Sequence, residues 1–153
     1  MIEVRPARPN HVGVVANRMR DIDKLEVEIA GHTPKGALRH GIMHGDAYTI
    51  LIDGRPEGMF GVVPASLMGA EGRIWALFTD EAIKQPRAFL VLGPRFIAAV
   101  SHGYLRLTNY VHAENRAAIR WLKRMDFTVK GVEDINGHPM RAIELCVYPQ
   151  HHF

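Results

Sequence analysis

The 153-residue sequence predicts a single α/β domain, and three of its features carry that prediction. Apolar residues keep helical spacing from Val12 to Gly45, then the period changes at Tyr48 and strand-like and helix-like runs alternate to Val147. Asp53-Gly54 and Asn136-Gly137 each lie between strand-like runs, where hairpin turns belong. Arg73-Ile74-Trp75-Ala76-Leu77-Phe78-Thr79 is apolar almost throughout, as a strand covered on both faces in mid-sheet would be. The length suits one self-sufficient core.

Taken in order, Ile2 to Arg5 alternates apolar and polar like a half-buried strand, and Pro6 and Pro9 end it. Pro9 suits the first turn of a helix. Val12, Val15, Ala16, Met19 and Ile22 continue that helix through Leu25 and Ile29 to Gly31. Thr33-Pro34 then supplies a cap and a first position for a second helix, with Leu38, Ile42 and Met43 as its buried face and Gly45 as its end. Tyr48–Ile52 and Gly58–Val63 are the arms of a hairpin, and a loop with Pro64 and Gly69 leads to the central strand. Gln85-Pro86 opens a helix with Phe89, Leu92, Phe96 and Val100 on one face, and Gly93-Pro94 is expected to kink or split it. Tyr104–Val111 reads as a strand, and Ala118, Trp121, Leu122 and Met125 form the stripe of a short amphipathic helix. Phe127–Lys130 and Met140–Val147 make a final strand pair. No repeat or low-complexity linker interrupts the chain.

A 47% hydrophobic and 23% charged composition argues against long disorder. No run approaches the roughly 20 apolar residues of a membrane span. Met1 to Arg5 lacks a charged-then-apolar leader. The lone Cys146 rules out an internal disulfide, leaves a thiolate metal site without support, and is expected to be a small buried apolar residue. No metal ligands are predicted. A net charge of +3 favours phosphate-bearing or acidic partners only where the charge clusters. Nine histidines are scattered, and the closing His151-His152 is too short for a purification tag.

An Asn, then a helix, then a Phe opening a strand is the frame of Asn115-Arg116-Ala117-Ala118-Ile119-Arg120-Trp121-Leu122-Lys123-Arg124-Met125-Asp126-Phe127. With the element order, this resembles the GCN5-related N-acetyltransferases (GNAT). The resemblance implies a mixed, mostly antiparallel central sheet flanked by helices over residues 1–153, with acetyl-CoA or CoA as a possible ligand. Arg5-Pro6-Ala7, Phe60-Gly61-Val62-Val63-Pro64, Trp75 to Asp80, Asn109-Tyr110-Val111 and Asn115 to Leu122 look closer still to the podovirus internal virion protein A-like family of GNAT-like phage proteins. That likeness implies a phage origin, the host cytoplasm or the virion as location, and a virion or host protein as partner.

GNAT enzymes hold the coenzyme A diphosphate on backbone amides of a glycine-bearing loop after the fourth strand. The corresponding Thr79 to Arg87 has no glycine, Pro86 removes a donor, and Asp80 and Glu81 add negative charge. Lys84 and Arg87 are the side chains expected to compensate, and Asn115, by resemblance, helps position the coenzyme. The Tyr that many members carry seven residues after the Asn, as acid for the leaving thiolate, is Leu122 here. Tyr110 and Tyr104 are possible substitutes. Asp80, Glu81 and His112 are candidate bases by their places near strand ends, and each reads more simply as a polar structural residue: Asp80 and Glu81 as helix-entry or loop charges, His112 as a strand end. Asp126 replaces the customary Gly before Phe127 and tolerates a left-handed helix end. Trp75 and Trp121 are expected as core or interface anchors. Arg116, Arg120, Lys123 and Arg124 should form a basic stripe opposite the apolar one, a solvated face or a surface for phosphates or acidic protein; no nucleic-acid motif accompanies it. Two functions therefore stand open: a noncatalytic or diverged phage binding protein, and an acyl-CoA-dependent N-acyltransferase with an atypical loop.

Overall fold

Local signals place most elements where the sequence puts them, in a computed structural model that describes residues 1–66 and 69–147. The order is β1 (Ile2–Pro6), α1 (Pro9–Arg18), α2 (Asp21–Ile29), α3 (Pro34–His44), β2 (Asp46–Ile52), β3 (Arg55–Pro64), β4 (Glu71–Phe78), α4 (Asp80–Ile83), α5 (Pro86–Val100), β5 (Arg106–His112), α6 (Arg116–Arg124), β6 (Thr128–Ile135) and β7 (His138–Cys146). Pro9 and Pro34 stand at the starts of α1 and α3, and Thr33 Oγ1 accepts from the Gly36 amide at 3.0 Å. Asp53 (φ 49°) with Gly54 (φ 83°), and Asn136 (φ 52°) with Gly137 (φ 83°), are left-handed pairs that close the β2–β3 and β6–β7 hairpins. The closing His151-His152 lies outside the described residues.

The seven strands form one sheet in the order β1-β2-β3-β4-β5-β7-β6. Every neighbouring pair is antiparallel except β4–β5, which is parallel. Side-chain alternation sends Ile50, Phe60, Ile74, Leu107 and Val111 to the face covered by α5 and α6, where Phe89, Phe96, Ile119 and Leu122 meet them. Met59 and Leu77 go to the other face, against Val12, Val15, Val27 and Leu38 of α1–α3. α3 approaches closely because position 41 is glycine: a Cβ there would stand 2.2 Å from the Trp75 ring.

Four expectations need correction. The first helix is two helices, because Met19 and Arg20 are extended (ψ 143° and 144°) and Met19 bridges Thr79 at the end of β4. α5 runs unbroken through Pro94, with Phe89 on one side and Phe96 and Val100 on the other anchored in the core. Cys146 is exposed, at the last position of β7. Met43, expected on the buried face of α3, is 76% exposed, while His112 closes β5 as the polar strand-end residue expected, buried there. Among the described residues no helix is long and apolar enough to cross a membrane.

Candidate functional site

The parallel β4–β5 pairing is short. It joins only Glu71, Gly72 and Arg73 to Arg106, Leu107 and Thr108. Beyond it β4 stays with β3 as far as Phe78 and β5 stays with β7 as far as His112, so the two central strands diverge. At the closed end Arg106 bonds Glu71 at 2.5 Å and reaches Glu144 at 3.5 Å. One step further, the Asn109 amide on β5 donates to the Ile74 carbonyl on β4 at 2.5 Å.

Residues 74, 76 and 78 turn their peptide groups to this edge of β4, by the two-residue period of a strand. The Phe78 N–H donates to Asp23 Oδ2 at 2.9 Å, and its carbonyl accepts from the Arg20 amide at 2.9 Å. Ala76 lies between these occupied positions, and its N–H and C=O face the gap with no strand beside them.

A cavity of about 800 Å³ fills the gap and continues on both faces of the sheet. Glu26, Val27, His32 and His40 line it on the α1–α3 side, and Phe89, Trp121, Arg120 and Arg124 on the α5–α6 side. Trp75 is also in the lining, and its Nε1 is the one buried side-chain polar atom without a hydrogen-bond partner among the described residues.

The wall on the α1–α3 side is a polar cluster. Asn115, 2% exposed, caps α6 by accepting from the Ala118 amide at 3.4 Å, accepts from Arg20 Nη2 at 3.5 Å, and donates to Glu26 Oε1 at 2.5 Å. Arg20 also faces Asp23 at 3.4 Å. Burial pushes the Glu26 carboxyl up to about 7, aided by the Asp23 charge and opposed by bonds from Asn115 and the His112 amide. Burial likewise raises Asp23 to about 6, against the pull of Arg20 and the Phe78 amide. A carboxyl poised near neutrality beside a cavity is suited to accepting and releasing a proton.

The residues singled out from sequence disperse around this site. Asn115 and Tyr110 line the cavity, and Tyr110 is 46% exposed. Asp80 is exposed on α4, and Glu81 bonds the Lys84 ammonium at 2.8 Å, an ion pair directed away from the lining. Arg87 is exposed in the first turn of α5, also outside the lining. His112 accepts from the Glu114 amide at Nδ1, at 3.1 Å, and does not reach the cavity. Tyr104 stands over Gly72 near the closed end. Leu122 is core and lines the cavity with a hydrocarbon surface. Asp126 is left-handed, φ 69°, as its place before Phe127 predicts. Both tryptophans are partly buried anchors, Trp121 on the α5–α6 side and Trp75 on the other.

Arg20, Asp23 and Glu26 escaped the sequence reading. In an unbroken helix Glu26 stands one turn from both Ile22 and Ile29, on the face they bury, so a carboxylate among inward positions was a signal the sequence carried, whereas Asp23 lies toward its margin. The extended residues 19 and 20 reset the phase, so that α2 buries Asp23 and Val27 instead.

No protein-family model matches the chain, and no curated protein matches it. Solved structures do. The GNAT domain of PAT from S. lividans superposes with a TM-score of 0.73 at 17% identity, over 95% of this chain and 90% of that one. A spermidine N-acetyltransferase from Vibrio cholerae, solved with CoA and spermine, gives 0.68 at 13% identity over 95% of each chain. A GNAT-family acetyltransferase from Streptococcus pneumoniae gives 0.63 at 12% identity, over 96% of this chain and all of that one. At such identities the likeness is one of architecture. The fold is that of the GNAT acetyltransferases.

Proposed function

We propose that this protein binds a coenzyme A thioester in the opening between β4 and β5 and transfers its acyl group to an amine entering from the α1–α3 side. The observation that carries the reading is a cavity that crosses the sheet through the gap and meets, on one face, a carboxyl held near neutrality. Two chemically distinct ligands can then meet in the gap from opposite faces.

The residues present fit such a ligand. The free N–H and C=O of Ala76 suit an amide-bearing arm added to a strand edge. Bound there, the thioester supplies an activated acyl carbon. Glu26 takes the proton of the entering ammonium at its carboxylate, while Asn115, itself held by Arg20, keeps that carboxylate in place. Tyr110 is the hydroxyl in the lining from which a proton can pass to the thiolate, since Leu122 has none to give.

A second reading is a diverged binding protein without turnover, acting on a virion or host protein in the host cytoplasm. Leu122 and the glycine-free turn through α4 favour it. Titration calorimetry with acetyl-CoA, followed by thiol release in the presence of a panel of amines, separates the two. Binding with amine-dependent release supports transfer, and binding without release for any amine leaves the diverged reading. No heat at millimolar acetyl-CoA removes the thioester ligand altogether. The virion form of the second reading further requires the chain in purified particles.

A further inference from the structure

Thr79 to Arg87 keeps free main-chain donors only in the first turns of α4 and α5, with no continuous run between them. The Lys84 and Gln85 amides bond the Glu81 and Ala82 carbonyls at 3.3 and 3.1 Å, Pro86 has no N–H, and the Phe89 amide bonds the Gln85 carbonyl at 3.2 Å. The Lys84 ammonium is held by Glu81. The cations that do reach the cavity are elsewhere, on α6: Arg120 and Arg124 both line it.

These two arginines stand one turn apart, so their guanidinium groups share a flank of the helix. Both are exposed, and neither forms an ion pair among the described residues. Trp121, next to Arg120, donates Nε1 to the Phe89 carbonyl at 3.0 Å and fixes that flank against the start of α5. Ala117, one turn earlier and also in the lining, leaves the approach open. Arg116 and Lys123 on the same helix, both exposed, strengthen the positive field without lining the cavity.

We propose that Arg120 and Arg124 bind the diphosphate of a coenzyme A nucleotide, so that side chains of α6 do the work a glycine-bearing loop would do with amides. Guanidinium forks suit phosphate oxygens through paired charge-assisted hydrogen bonds. This assignment rests on the thioester reading above.

The test is titration calorimetry of wild type, Arg120→Gln, Arg124→Gln and the double variant with coenzyme A, dephospho-coenzyme A and pantetheine. Lys123→Gln is the control on the same helix. Each arginine variant should bind coenzyme A about tenfold more weakly and the double variant about a hundredfold. The loss should persist with dephospho-coenzyme A, which keeps the diphosphate, and disappear with pantetheine, which lacks it. Melting temperatures should be unchanged, because both side chains are exposed. Wild-type affinity in the double variant, an equal loss in Lys123→Gln, or a loss confined to ligands with the 3′-phosphate overturns the assignment while leaving the thioester reading intact. Failure of the wild type to bind coenzyme A removes both.

Discussion

Glu26→Gln probes the electrostatics of the polar wall without changing its volume, because Gln keeps one acceptor and one donor like the protonated acid. The carboxyl titrates near 4.5 unprotected and near 7 in the folded chain. Between those values the native state keeps a proton that the unfolded chain has released. Stability from this group is therefore complete below pH 4.5, declines as pH rises, and is gone above about 7. At about 1.36 kcal/mol per unit the full shift corresponds to about 3 kcal/mol. Asp23, raised to about 6 beside it, shares the titration, and about 2 kcal/mol is the portion for Glu26 alone. For a domain of this size that is a change in Tm of about 4–8 °C. Calorimetric melts of wild type and variant at pH 5, 6, 7 and 8 measure it. The variant should gain on the wild type by that amount across the series. The opposite pH trend from His11 and His40, both lowered by burial, cancels in the difference. Parallel profiles for the two proteins would refute the buried-carboxyl account.

Three further changes test the scaffold around the gap. Asn115→Ala removes the α6 cap and the partner of Glu26 together, and should cost about 2–3 kcal/mol in urea unfolding; a loss under about 0.5 would mean the cluster is dispensable. Arg18→Met strips the main cation from Glu57, which is 2% exposed at the β3 side of Thr79, and should cost about 3 kcal/mol, with Arg55 too exposed to compensate. Asp126→Gly relieves a left-handed residue and should raise stability by up to about 1 kcal/mol, whereas Asp126→Val should lower it by a similar amount; equal midpoints for the two would contradict the assigned backbone.

The order of the seven strands, the two left-handed hairpin turns, the Thr33 cap and the αL position of Asp126 were all legible in the sequence. Each is decided within a few residues, by side-chain period or by the φ a turn demands. The absence of a glycine between Thr79 and Arg87 was equally plain, and it turned attention to side chains for an anion. Arg120 and Arg124 were legible as part of a basic stripe; that these side chains, rather than Lys84 and Arg87, border the cavity was not. Lys84 and Arg87 are near the turn in sequence, but the Lys84–Glu81 pair and the course of α4 keep them off the cavity, while Arg120 and Arg124 reach it from another helix. The polar wall was only partly legible. Glu26 already falls among the inward positions of the first helix, but nothing local marks Met19 and Arg20 as extended; they become so because Met19 bridges Thr79 and the Arg20 amide takes the Phe78 carbonyl, and that long-range pairing resets the helix so that α2 buries Asp23. The sequence by itself determined which segments are strands and hairpin turns and where most of the helices run. Only the tertiary structure decided where β4 and β5 part and which charges face the opening, because strand divergence and burial are set by contacts between residues far apart in the chain.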